Sequence, residues 1–223
     1  MLSQDLRVPS AVNRWVELTY LKSDCWAGII EDLCEQAVRT SCAGVCVRPE
    51  WVNYARACLA KRGRPDIKVV QVLFFPGVSS KVLAGDEVDI YLYFPGCLDS
   101  RDARESARWS VSIILKALEA KGFRRSRVKI IVEARQLSDK ELSFVTKLLA
   151  KLKVGYIKTS TGVLDRTNSR TNLEDLRIIV KSMPWFGYRP KIKVSGGIRT
   201  AQEGWKLIAN GANILGTSSV LSY

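Results

Sequence analysis

Gly155-Tyr156-Ile157-Lys158-Thr159, then Thr171-Asn172-Leu173-Glu174, then Ile192-Lys193-Val194 form the stretch whose reading decides the fold. The first and last pieces are short β-branched or aromatic runs, each holding one lysine, and both predict strands. Thr171 and Glu174 stand three residues apart, ahead of Leu176, Ile178 and Ile179. That spacing is a capping box opening an amphipathic helix over 173–183. Strand, helix, strand in this order makes a βαβ unit, the connection that parallel pairing requires.

The same alternation continues in both directions. Strand-like runs occupy 16–21, 44–47, 67–75, 88–94, 128–132, 155–159, 192–194 and 214–216. Helical patterns fill 26–41, 49–62, 100–121, 139–153, 173–183 and 201–209. Eight strand candidates in 223 residues, with no linker or composition break, predict an α/β fold. The expected architecture is a single (β/α)8 TIM barrel over 1–223, with 1–13 an N-terminal extension or short helix. In such a barrel, function sits where strands end. Those ends read Phe75-Pro76-Gly77, Phe94-Pro95-Gly96, Lys158-Thr159-Ser160-Thr161-Gly162, Ser195-Gly196-Gly197 and Gly216-Thr217-Ser218-Ser219. Gly, Ser and Thr gathered there suit an anion held by backbone N–H groups.

Charges interrupt four strands, at Asp89, Lys129, Lys158 and Lys193, each flanked by β-branched residues. Side chains alternate across a strand, and the outer face must meet apolar helices, so the charges are expected to point into the barrel. Buried charges must pair. For Lys129 the expectation is an ion network in which Asp89 and Glu133 balance the lysines. Lys158 and Lys193 each precede a Gly/Ser/Thr-rich loop. Two ammonium groups about 4 Å apart repel by roughly 4 kcal/mol at an effective dielectric of about 20, enough to free one amine of its proton near neutral pH. A neutral amine at a phosphate-binding rim points to Schiff-base chemistry on a phosphorylated carbonyl compound.

Composition narrows the alternatives. Thirty-five Lys and Arg against 22 Asp and Glu give +13, which favours anionic partners. The basic residues are spread along the chain; the densest cluster, Lys121, Arg124, Arg125, Arg127 and Lys129, reads as a solvated corner plus one strand residue. Nucleic acid is therefore not expected as a partner. The chain has no histidine and its six cysteines include no CxxC pair, which removes Cys/His zinc sites and histidine-based catalysis. Free buried thiols are expected. No uncharged apolar run approaches the roughly 18–20 residues of a membrane span, and 1–13 do not read as a signal peptide. A cytoplasmic protein without membrane contact is expected.

Tyr156-Ile157-Lys158-Thr159-Ser160-Thr161-Gly162, Ile192-Lys193-Val194-Ser195-Gly196-Gly197-Ile198-Arg199-Thr200 and Leu215-Gly216-Thr217-Ser218-Ser219 resemble deoxyribose-phosphate aldolase. Val45-Cys46-Val47-Arg48-Pro49, Asp86-Glu87-Val88-Asp89 and Val128-Lys129-Ile130-Ile131-Val132-Glu133 fall where that family's pattern expects them. The resemblance implies a (β/α)8 class I aldolase without cofactor or metal. It would cleave 2-deoxy-D-ribose 5-phosphate reversibly to D-glyceraldehyde 3-phosphate and acetaldehyde. It implies Lys158 as the Schiff-base lysine, Lys193 as the second lysine that makes the first reactive, and Asp89 as a proton carrier. It implies Gly162, Gly196, Gly197 and Ser218 around the phosphate, and Cys46 as a pocket wall. Glu17, Thr161, Arg199 and Ser219 complete the candidate pocket. Relatives form dimers or larger assemblies, so the resemblance also implies a homo-oligomer.

The chain departs from the family pattern in three places. Glu17 stands where aspartate is usual, Leu73-Phe74-Phe75 where polar residues are common, and 163–170 lacks the usual glycines or lysine. Asp165, Arg166 and Arg170 appear there instead, so an arginine is a candidate phosphate partner. Two alternatives stay open: a related Schiff-base lyase on another phosphorylated aldehyde, and a non-catalytic basic barrel that binds nucleic acid.

Overall fold

The computed structural model describes residues 11–74, 83–92, 94, 98–162 and 169–222. Eight parallel strands close on themselves in chain order: β1 Val16–Tyr20, β2 Gly44–Val47, β3 Lys68–Phe74, β4 Glu87–Tyr91, β5 Val128–Ile131, β6 Tyr156–Lys158, β7 Lys191–Ser195 and β8 Ile214–Thr217. Closure comes from β1 on β8, with Val16 opposite Leu215 and Glu17 opposite Gly216. Six α-helices among the described residues cover the outside: α1 Ala27–Arg39, α2 Val52–Lys61, α3 Arg101–Ala120, α4 Asp139–Lys151, α5 Asn172–Ser182 and α6 Ala201–Ala209. The expected barrel is therefore present, and most element ends fall within one or two residues of the sequence reading. The fourth strand stops at Tyr91 rather than Phe94. Past it the ladder thins to a long 3.5 Å bond from the Leu92 N–H to the Ile131 carbonyl.

Local chemistry sets the helix starts. Thr171 and Glu174 form the expected capping box on α5, and Ser138 with Glu141 forms a second one on α4. Each side-chain cap is worth about 1 kcal/mol.

Period-two alternation divides the sheet into two faces. Val16, Leu18, Val45, Val88, Ile90, Ile130, Ile157, Ile192 and Val194 face outward into the main core beneath the helices. Residues of the other parity face the barrel axis. There Cys46, Val70, Val72 and Ile131 make a small apolar plug, and beside it lies a cluster of buried charges against which Tyr156 packs. Asn13, in the middle of the short 3-10 helix Ala11–Trp15, is wholly buried. Its amide donates to the Leu221 carbonyl at 2.9 Å and accepts the Leu221 N–H at 2.8 Å, clasping the segment before β1 to the segment after β8.

Candidate active site

The register places the charges together. Lys158 on β6 is the direct neighbour of Lys193 on β7, and Asp89 on β4 is the neighbour of Lys129 on β5. All four point inward and are essentially inaccessible to water. Asp89 Oδ2 accepts from the Lys158 Nζ at 2.7 Å and from the Lys193 Nζ at 2.8 Å. Because both bond one oxygen, the two nitrogens lie no farther apart than those bonds laid end to end. The expected lysine pair is thus formed, but the amines do not face each other bare. Asp89 sits between them and offsets their repulsion.

Glu17 reaches the same cluster. Its Oε2 takes a hydrogen bond from Lys193, and its Oε1 lies 3.1 Å from the Lys129 ammonium. The residues opposite Glu17 on both neighbouring strands are glycines, Gly44 and Gly216. A Cβ on Gly216 would come within 3.0 Å of Lys193 Cε, and one on Gly44 within 3.4 Å of Glu17 Cγ. These two glycines leave room for the longer glutamate stem and the lysine it meets.

Below this layer Glu87 pairs with Lys129 on one oxygen and with the half-exposed Lys68 on the other. Lys129 also lies 3.5 Å from Asp89 Oδ1, and it meets its carboxylates as ion pairs without aligned hydrogen bonds. The buried cluster therefore holds Lys129, Lys158 and Lys193 against Glu17, Glu87 and Asp89, equal in number and opposite in sign. This corrects the expectation for Glu133. That residue follows the end of β5 with φ +46°, leaves the strand alternation, and accepts the Thr161 N–H at 2.6 Å. Glu17 and Glu87 take the balancing role assigned to it. Glu87 sits two residues before Asp89 on one strand face, a parity that was available in the sequence.

Burial and pairing act in opposite directions on these groups. Burial pushes the Asp89 carboxyl up, but Lys158, Lys193 and Lys129 outweigh it and hold the group well below the usual carboxylate range. Burial pushes the Lys193 ammonium down, but Asp89 and Glu17 outweigh it and hold its pKa well above the lysine norm. Glu87 is held low against burial by Lys129 and Lys68. Cys46 lies at the plug with its thiol 3.7 Å from Asp89 Oδ2; burial, reinforced by Asp89, pushes that thiol up to about 11. Cys46 is not among the residues lining the cleft above.

Just above Lys158 and Lys193 the two strands are stitched into a cradle. Ser195 N–H donates to Thr159 Oγ1 at 3.0 Å, Ser195 Oγ to the Ser160 carbonyl at 2.6 Å, and Gly162 N–H to Ser160 Oγ at 2.8 Å. Gly162, Gly196 and Gly197 all have positive φ, and at Gly196 (+96°) a Cβ would also press on Ser160 Oγ at 3.3 Å. Asn172, the first residue of α5, ties this helix start to the Gly196 carbonyl at 3.0 Å. The three glycines line a small cavity of about 60 Å³ with Arg135 and Asn172. Gly196 and Gly197 also line an adjoining cleft of about 260 Å³ with Arg135, Ser169 and Arg170. Backbone N–H groups, a helix N-terminus and an arginine are groups that suit an anion, and the carboxylates of Glu133 and Asp175 share the lining, Asp175 paired to Arg135.

Not every candidate joins this cleft. Ser218 and Ser219 are exposed beyond β8 and are not among its lining residues. Arg199 is exposed, and its backbone N–H bonds Glu203. Asp165 and Arg166, with the Phe-Pro-Gly loops apart from Phe94, lie outside the described residues. Arg170 turns toward the wall, donating to Asp175, Asp139 and the Ala134 and Leu137 carbonyls. Arg135 was missed by the sequence reading. It donates to Asp175 at 3.3 Å and Asn172 at 2.9 Å, and its place past the end of β5 was the available signal.

A protein of Acholeplasma laidlawii named deoxyribose-phosphate aldolase is 33% identical over 220 residues, covering 93% of this chain and 92% of its own. The chain belongs to the deoxyribose-phosphate aldolase family. A member from Caldicellulosiruptor saccharolyticus is 29% identical over 222 residues, covering 93% of this chain and 94% of its own. No family model matches the chain. The barrel is also that of the Aeropyrum pernix deoxyribose phosphate aldolase, a structure described as tetrameric. It aligns at a TM-score of 0.69 with 21% identity over 96% of this chain and 90% of that one.

Proposed function

We propose that this chain cleaves 2-deoxy-D-ribose 5-phosphate reversibly to D-glyceraldehyde 3-phosphate and acetaldehyde through a Schiff base on Lys158. The observation that carries it is the single Asp89 oxygen shared by Lys158 and Lys193 directly beneath the glycine cradle. Lys193 has two carboxylate partners, which hold it as a cation when the site is at rest. Among the described residues Lys158 pairs with Asp89 alone and lies at the rim end of its strand, so it is the amine that attacks.

The phosphate binds the backbone N–H groups around Gly162, Gly196 and Gly197, which fixes the distance to the aldehyde carbon. Neutral Lys158 Nζ adds to that carbon, and the resulting hydroxyl leaves as water after protonation by Lys193 or a water it holds, giving the protonated imine. The proton of the C3 hydroxyl passes through water to Asp89, the C2–C3 bond breaks, and its electron pair moves toward the imine nitrogen. Glyceraldehyde 3-phosphate departs. The enamine is reprotonated at C2, and hydrolysis of the imine frees acetaldehyde and Lys158. Cys46, with its raised thiol, takes no proton and shapes the wall.

The whole chain is taken as one catalytic barrel. A phosphorylated aldose does not cross membranes unaided, which supports a cytoplasmic site of action. The tetrameric relative supports a homo-oligomer here too, to be measured by light scattering. The assay for the reaction couples glyceraldehyde 3-phosphate release to a dehydrogenase. Deoxyribose 5-phosphate should be cleaved, and Lys158→Ala should abolish turnover. Cleavage that persists in that variant, or no cleavage by the parent protein, would refute the assignment.

A further inference from the structure

The barrel carries a second cavity at the end opposite the aldolase site. It is a groove of about 610 Å³ between the C-terminal ends of α4 and α5 and the loop that leads into β7. Lys147, Lys151, Lys153 and Lys181 line it, and among the described residues no acidic one does. Lys153 takes φ +56° at the helix end, a left-handed position more often given to glycine. Opposite the lysines stand Trp185 and Phe186, 91% and 93% exposed, with Tyr188 beside them.

The basic corner of the sequence lies next to this groove. The Gly155 N–H donates to the Arg125 carbonyl at 2.9 Å, and the Arg125 guanidinium reaches the Leu152 carbonyl at 2.9 Å. The loop carrying Arg124, Arg125 and Arg127 is thus fastened to the loop carrying Lys153. Cations far apart in sequence converge on one end of the barrel, with Arg125 paired to Glu119, and the aldolase reaction uses none of them.

A second copy of this chain is a poor occupant. A symmetric contact would set the lysines against themselves, and any other contact brings up a body of net charge +13. The charge calls for a polyanion. The flat rings, exposed among lysines rather than packed, call for planar groups to stack on. Both demands are met by a nucleic acid whose bases are unpaired.

We propose that this groove binds single-stranded nucleic acid, with the four lysines on phosphates and Trp185 and Phe186 stacked on bases. The proposal is independent of the aldolase reading, since it involves the other end of the barrel.

The test is fluorescence anisotropy with end-labelled oligouridine of about 20 nucleotides, repeated across a salt series and with a duplex of equal length. Four phosphate contacts give a slope of log K against log salt of about −3. Trp185→Ala/Phe186→Ala should weaken binding about tenfold or more and leave the slope unchanged. Lys151→Glu/Lys181→Glu should reduce the slope by about 1.4. All four side chains are exposed, and circular dichroism of each variant checks the fold. Absence of binding overturns the proposal. So does equal affinity for the duplex with no effect of the aromatic substitutions, which is mere adhesion of a basic surface. Dissociation of an oligomer in the aromatic variant during sedimentation, with strand binding intact, overturns it in favour of a self-contact.

Discussion

Replacing Glu17 by Gln removes one charge from the middle of the buried cluster and keeps the shape of the side chain. Three lysines then face two carboxylates where no water reaches them. The Glu17–Lys129 contact at 3.1 Å is worth about 5 kcal/mol of attraction at an effective dielectric of about 20. Breaking one partner of a buried pair costs about 3–5 kcal/mol net, because the other charge stays uncompensated. Glu17→Gln should therefore lose about 3–5 kcal/mol of unfolding free energy at pH 7, and Glu17→Asp, which keeps the charge, should recover most of it. The sign of the pH dependence follows from the lysines. Lys129 and Lys193 have pKa values raised by folding, so in the parent protein their contribution is complete below about pH 10 and lost as pH rises through the folded values. In Glu17→Gln the deprived lysine sheds its proton more readily when folded than when unfolded, so the gap between the proteins narrows as pH climbs from neutral toward about 10. Urea titration followed by tryptophan fluorescence measures this. A loss below about 1 kcal/mol, or a gap that does not change with pH, would refute the account of the cluster.

Lys193→Leu leaves Asp89 to Lys158 and Lys129 and should move the acid limb of the pH–kcat/KM profile to higher pH; an unchanged profile would remove Lys193 from the activation of the amine. Gly196→Ala places a side chain at φ +96° against Ser160, so KM for deoxyribose 5-phosphate should rise about tenfold or more while Lys158 stays competent for imine formation. Asp89 has a carboxyl lowered by folding, so its contribution is present above about pH 4 and lost as pH falls through the depressed folded value; acid titration of Asp89→Asn should show a shallower fall than the parent protein. Cys46 is inaccessible with a thiol near 11, so iodoacetamide at pH 8 should label the half-buried Cys25 and spare Cys46 until the chain unfolds.

The barrel was legible because its signals are local and repeated. Each strand announces itself by β-branched residues, and a lone charge such as Asp89 or Lys193 between two of them fixes which face is inside. The same parity identifies Glu17 and Glu87, although Glu87 drew attention only as part of a motif. Glu133 does not balance the lysines because the strand that turns Lys129 inward has already ended at Ile131. Arg135 was missed because its loop has no periodicity to read. The bridging of both amines by one Asp89 oxygen depends on strand register around a closed sheet, a long-range property that spacing along the chain does not carry. The convergence of the Arg125 and Lys153 loops was hidden for the same reason.

Trapping the intermediate tests the central claim most directly. Acetaldehyde with borohydride should leave an N-ethyl group on Lys158, located by peptide mass spectrometry, and Lys193 and Lys129 should remain unmodified. A label on Lys193, or inactivation with Lys158 untouched, would contradict the assignment of the reactive amine.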